Sequence, residues 1–275
     1  YYTPKAYPQA VQGNVVSGTI VENLTSSNTI GDLQTSANVT NFEFYPETAT
    51  DPAYWSMAGS QNAILKGNPI SSAVSTEATF SGWMQGPYVS KTYGGVFDFF
   101  GTQAGADFDQ QVYLSGREFI LFSPSTTPPI QWPELVNYPG GADLSNEWIF
   151  MSFSFTPATT STSSDGQLKA ALGCKSSYDW AQANPPAPGG TTNWDYDGAG
   201  STIPVDENGL YFYTSNPTLD LDEFFFENFY LGNAADLTNE NNPAHYGEFG
   251  IFGAVIPDSQ VIANWNGSRE TYGIT

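Results

Sequence analysis

The sequence predicts an all-β fold, an antiparallel sandwich with only a few short helical turns. Three observations lead there. Apolar and polar residues alternate along many short stretches, as in Phe150, Ser152 and Ser154 against Met151, Phe153 and Phe155, which is the period of a strand. Turn pairs ending in glycine separate such stretches, among them Ser115-Gly116, Asp165-Gly166 and Asn208-Gly209, and these supply the positive φ that tight hairpins need. No long stretch carries the i, i+3, i+4, i+7 spacing of an amphipathic helix.

In chain order, residues 1–45 are rich in Ser, Thr and Asn with sparse Val and Ile. They are expected to form an extended arm or edge strands, with strand stretches at 14–21 and 41–45. Residues 46–275 are expected to form one sandwich. Its strands are predicted at 78–84, 95–100, 110–114, 118–122, 148–155, 167–172, 210–213, 224–231 and 248–255. Short helical segments are predicted at 178–183 and 257–265. Two Pro- and Gly-rich stretches, 123–146 and 174–204, read as expanded loops, and loops longer than about 12–15 residues are often functional.

Composition narrows the partners. The 275 residues are enough for one large sandwich domain, and 19 Phe, 16 Tyr and 7 Trp can fill its core. Seven Lys and Arg against 28 Asp and Glu give a net charge of −21. Nucleic acid is excluded as a partner, since phosphate binding needs clustered cations, and acidic polysaccharides are disfavoured on the same ground. Neutral glycans, divalent cations and neighbouring protein subunits fit this charge. The lone Cys174 excludes an internal disulfide. No run of 18 apolar residues occurs, so no membrane-spanning helix is expected. A start at Tyr1 rather than Met fits removal of a signal peptide or a trimmed chain, so a secreted or cell-surface location is expected. The sequons at Asn23, Asn38 and Asn266 are glycosylation candidates in such a setting.

A series of motifs then resembles a known family. The strand ATFSGWMQ (78–85), the stretch VFDFFG (96–101) and Glu147-Trp148-Ile149-Phe150 stand in order. They are followed by a hairpin from Asp165-Gly166 to Leu172-Gly173, by Phe229-Tyr230-Leu231-Gly232, and by GEFGIFGAVIPDSQVIANW (247–265). This order resembles the laminin-G-like domains of the concanavalin A-like lectin/glucanase superfamily over residues 76–265. The resemblance implies a jelly roll of two stacked sheets, with Trp83 packed in the core. It also implies relatives that are glycan-binding modules, adhesion domains, glycoside hydrolases and lyases, and the fold does not choose among them. The chain departs from the pattern by swelling between residues 174 and 220 and by its long lead-in.

Several residues are candidates for chemistry. Asn193, Asp195, Asp197 and Gly198 in GTTNWDYDGAG follow the first half of a calcium-loop pattern. Pro204 stands where the bidentate acid belongs, and Asp206 is the nearest substitute, so calcium is a possible cofactor and a polar turn the alternative. Asp107 and Asp109 are a weaker pair. Tyr178, Trp180, Trp194 and Tyr196 lie in the swollen segment and are expected as exposed rings for a glycan or partner, or else as a cap folded on the sandwich. A retaining glycosidase needs two carboxyls about 5–5.5 Å apart, and Asp220, Asp222, Glu223 and Glu227 are the local candidates. His245 is the lone histidine, read as a surface-loop residue in Asn-Pro-Ala-His, and Trp83 and Trp148 read as core.

The leading expectation is a secreted, non-catalytic carbohydrate-recognition or adhesion module. The runner-up is a structural subunit of an extracellular filament, surface layer or viral shell, a homo-oligomer joined through the arm by strand addition. A divergent glycoside hydrolase comes third.

Overall fold

Residues 78–85 and 148–156 are the most strongly strand-patterned in the chain, and in a computed structural model they are central strands of one sheet. The structure describes residues 1–6, 13–14, 20–21, 33–35, 43–57, 65–67, 77–85, 94–103, 106–115, 118–122, 134–136, 147–156, 166–215, 228–232 and 244–275. In order, the strands are β1 (Gly13–Asn14), β2 (Ile20–Val21), β3 (Leu33–Thr35), β4 (Glu43–Tyr45), β5 (Tyr54–Ser56) and β6 (Leu65–Gly67). Next come β7 (Ala78–Gln85), β8 (Gly94–Gln103), β9 (Ala106–Ser115), β10 (Glu118–Phe122), β11 (Glu134–Val136) and β12 (Trp148–Thr156). The last are β13 (Gln167–Gly173), β14 (Thr192–Asp195), β15 (Thr202–Val205), β16 (Tyr211–Thr214), β17 (Asn228–Leu231) and β18 (His245–Phe252). Two helices, α1 (Lys175–Ala183) and α2 (Asp258–Ser268), complete the described elements together with short 3-10 turns.

The strands form two eight-stranded sheets and a small hairpin. The first sheet runs β1-β4-β5-β18-β7-β12-β13-β16, the second β11-β10-β9-β8-β17-β6-β3-β2, and β14 pairs β15. The described pairings are antiparallel, as in β12 with β7, where Phe153 faces Phe80. The sheets stack through aromatic rings. Phe80 of the first lies 4.4 Å from Phe97 of the second, and Phe249 lies 6.2 Å from Phe229. The chain is therefore an all-β sandwich of two antiparallel sheets.

Period two explains one face of the first sheet but not the other. β7 and β12 are buried along nearly their whole length, because α2 and the residues after it cover the outer face. There Trp83 is sandwiched between Trp265, at 5.4 Å, and Tyr272, at 4.2 Å, and its Nε1–H donates to Ser268 Oγ at 2.9 Å. Trp83 and Trp148 are core residues, but of this second core rather than the one between the sheets. The hydroxyls on the same face are buried too. Thr79 Oγ1 lies 2.8 Å from Ser154 Oγ and donates to the Ala254 carbonyl, so the connection from β18 to α2 satisfies polar groups that would otherwise destabilise a dry interface.

The described stretches of residues 1–45 join these sheets. β1 pairs β4, and β2 pairs β3. Tyr2 exchanges two backbone hydrogen bonds with Phe249, and its ring stacks on Phe249 at 4.9 Å. The described ends of the predicted strand at 14–21, Asn14 in β1 and Ile20–Val21 in β2, thus lie in different sheets. The expected loop 174–204 is also corrected: it holds α1 and the β14–β15 hairpin. α1 sits directly on the next turn, where a Cβ on Gly209 (φ 74°) would fall 2.5 Å from Tyr178 Cα. Glu147 caps α1, its carboxylate accepting from the Ser176 N–H at 3.0 Å and from the Ser176 hydroxyl. Of the loop 123–146, only β11 is among the described residues. Among them, no helix is long and apolar enough to cross a membrane.

β18 begins at His245 rather than at 248, so His245 is a strand residue and not a loop one. Its ring stacks on Tyr54 at 4.5 Å, Tyr54 stacks on Tyr45 at 4.6 Å, and His245 Nδ1–H donates to Gln85 Oε1 at 3.1 Å. Burial holds its pKa below the ordinary value of 6.5.

Three outcomes follow from this packing. Trp265→Ala should lower unfolding stability by about 3–5 kcal/mol, because it empties the second core, and urea denaturation reads the loss. Glu147→Ala should cost about 1–2 kcal/mol by removing a charged cap from a helix N-terminus, measured the same way. The unfolded chain protonates His245 first as pH falls below about 6.5, so stability declines from there down through the lower folded-state pKa. In His245→Gln that part of the decline should vanish, as a comparison of melting temperatures across pH 4.5–7.5 would show.

Candidate functional site

The four aromatic residues singled out in the sequence do not make one exposed platform. The hairpin alternates: Asn193 and Pro204 face outward, whereas Trp194 pairs with Ile203 and points into the core between the sheets. At 3% exposure, Trp194 cannot stack on a ligand, which corrects the expectation of an open ring. Tyr196 is half-buried edge-on against Trp194 at 6.0 Å. Trp180, also half-buried, packs on the same core. Tyr178 belongs to the other core, with Trp265 at 6.4 Å and the Arg269 guanidinium 4.5 Å above its ring.

The acidic residues of the same segment close turns. Asp197 accepts from the Ala199 N–H at 2.8 Å and the Ser201 N–H at 3.2 Å. The Ser201 hydroxyl and the Ala199 N–H hold its pKa down to about 2. Asp195 accepts from the Gly200 N–H at 3.3 Å. Asp206 accepts from the Asn208 and Leu210 N–H groups at 2.9 and 2.8 Å, in the following turn. Asp195 and Asp197 thus serve one turn and Asp206 the next, while Asn193 faces outward on β14. No group of three or more His, Cys, Asp or Glu side chains suited to a metal occurs among the described residues. Asn266 is exposed on α2, but the hydroxyl of its sequon partner Ser268 is engaged, accepting from Trp83 and donating to the Asn264 carbonyl. Asn23, Asn38, Asp220, Asp222, Glu223 and Glu227 lie outside the described residues, and of Asp107 and Asp109 only the backbone, in β9, is described.

The structure shows a cleft that sequence reasoning missed. It has a volume of about 280 Å³ and lies between β18, β7 and α2. Its floor is the cross-strand pair Ser81 and Gly250. Phe252 forms one side, close enough that a Cβ on Gly250 would fall 3.0 Å from its ring. The edges of Trp83 and Phe150 form another side, and Ala263, Asn264 and Gly267 of α2 form the roof. A Cβ on Gly267 would meet nothing within 4 Å. The cleft is open because small residues face one another across it.

A β-bulge shapes the rim. The register of β18 against β7 shifts between Tyr246 and Phe249, and bulges re-aim the side chains they carry. Glu248 sits in this bulge. Its backbone N–H donates to the Tyr272 hydroxyl at 2.8 Å, and its carboxylate accepts from the Tyr1 hydroxyl at the mouth. Burial and the Glu248 charge push the Tyr1 hydroxyl pKa well above its ordinary value. Among the described residues, no Lys, Arg or His lines the cleft and Glu248 is its single carboxylate, and these residues offer hydrogen bonds and apolar contact. The sequence signal was faint: Gly247-x-x-Gly250 in a strand and Ala263-x-x-x-Gly267 on one helix face.

No family model matches the chain, and no curated protein matches it. Solved structures do resemble it. The receptor-binding domain of botulinum neurotoxin type G aligns with 93% of this chain and 52% of its own, at 10% identity and a TM-score of 0.50. A marine alginate lyase from Aplysia kurodai aligns with 88% of this chain and 98% of its own, at 10% identity and a TM-score of 0.43. A protein of unknown function from Shewanella oneidensis aligns with 90% and 92%, at 9% identity and a TM-score of 0.43. The chain spans about half the length of the neurotoxin domains it resembles, and at these identities the likeness is one of fold.

Proposed function

We propose that this protein is a secreted, non-catalytic recognition module with a concanavalin A-like jelly roll of the laminin-G type, and that it binds neutral glycans in the cleft beside α2. The observation that carries this reading is the composition of that cleft. Phe252 offers apolar contact, while Ser81, Asn264 and Glu248 offer hydroxyl, amide and carboxylate partners, the groups that meet the C–H faces and hydroxyls of a sugar. The absence of a lining cation and the net charge of −21 turn away anionic ligands. The sandwich shared with a receptor-binding domain is compatible with a binding role but does not set it.

A glycan array tests the reading directly. Neutral glycans should bind, acidic ones should not, and binding should persist in EDTA. Gly267→Leu should abolish binding by filling the cleft. The same change raises helix propensity, so melting should be unchanged or slightly higher. Binding to no glycan would overturn the proposal. Trp194→Ala, by contrast, should lose about 3–5 kcal/mol of stability as a core truncation, seen in urea denaturation.

A further inference from the structure

Resting on the glycan reading, we infer that the cleft takes the single terminal ring of a glycan end-on, and not the interior of a chain. The cleft is blind on its inner side. The cross-strand row that starts at Gly250 and Ser81 continues to Ser152 and Ala171. Beyond Gly250 and Ser81, the residues Ser152 and Ala171 line with Val261 only a small space of about 30 Å³, and Ser152 and Val261 are 2% and 4% exposed. An interior segment of a polymer needs an entrance and an exit, and the inner end narrows to a space too small for a sugar ring.

Size agrees. At about 280 Å³, the cleft lies at the small end of the roughly 300–1,000 Å³ typical of small-molecule pockets, a size that suits a single ring. The chemistry selects a neutral, hydroxylated ring. The Glu248 carboxylate can accept from two hydroxyls. Asn264 Oδ1 is occupied by Gln260 Nε2 at 2.8 Å, so its amide N–H group is the part left to donate. Phe252 is the ring that faces the space. Trp83 is stacked with Trp265 and Tyr272, so Phe252 rather than Trp83 is the ring that a ligand meets. The Tyr1 hydroxyl, bonded to Glu248 at the mouth, exchanges that bond for a ligand hydroxyl as the ring enters.

The test is competition. Free glucose, galactose, mannose and N-acetylglucosamine are titrated by calorimetry, and each is used to displace the array-positive oligosaccharide. At least one free monosaccharide should bind and displace it fully. Chemical capping of the oligosaccharide's terminal ring should abolish binding. Glu248→Gln should weaken binding by about tenfold, the loss of one charged hydrogen bond, with the melting temperature recorded alongside to show that the fold is kept. If oligosaccharides bind but no free monosaccharide displaces them, end-on recognition is wrong while the glycan reading stands. If no glycan binds at all, both fall.

Discussion

The clamp of Trp265 and Tyr272 on Trp83 holds the rest of the architecture in place. Trp83 projects from the outer face of a sheet whose inner face already packs on the second sheet. Left open, that outer face would present Trp83, Trp148 and Phe150 to water, a larger apolar patch than a soluble chain normally exposes. α2 and the C-terminal turn cover it. The sheet is thereby buried on both sides; Thr79 finds partners in Ser154 and Ala254, whereas the Ser152 hydroxyl is buried without one among the described residues. The cleft is a by-product of the same docking: it opens beside the Phe252 ring, where small residues of the helix face Gly250 and Ser81.

The amino-terminal residues act on the same edge. Tyr2 bonds to Phe249 on both sides of one residue, immediately after the bulge that displaces Glu248. Tyr272 reaches the bulge from the other direction, its hydroxyl accepting a hydrogen bond from the Glu248 N–H. Fixed from both sides, the bulge presents the Glu248 carboxylate at the rim without the cost of freezing a mobile loop on binding. This edge also bears on the filament or shell reading: the described part of the first 45 residues pairs within its own sandwich.

Much of the sandwich was legible in the sequence because alternation marks strands directly. β7, β10, β12 and β13 fall where the pattern places them, and so does α2. What alternation cannot report is which face a distant element will cover. Phe150, Ser152 and Ser154 alternate with Met151, Phe153 and Phe155, and both sets are buried because α2, more than a hundred residues later, covers the face that the second sheet does not. Trp194 shows the same limit in a short hairpin. Its neighbours are acids and glycines, so its surroundings in sequence look like a loop, yet pairing with Ile203 turns it inward. The cleft was illegible for a different reason: it is defined by missing side chains at positions far apart in the chain.

The carboxylates sort themselves by what they face. With seven Lys and Arg for 28 acids, few can form ion pairs, and the two described, Lys5–Glu47 and Lys175–Asp179, are exposed, where such pairs contribute little. The fold uses backbone N–H groups instead. Glu147 caps a helix, and Asp195, Asp197 and Asp206 close turns. Glu248 differs from all of these. Its backbone is fixed by Tyr272, its carboxylate meets a phenol at the mouth of a cleft, and no helix end or turn uses it. In the proposed reading, this acid, which the fold positions but does not employ in its own turns, is the one that meets the ligand.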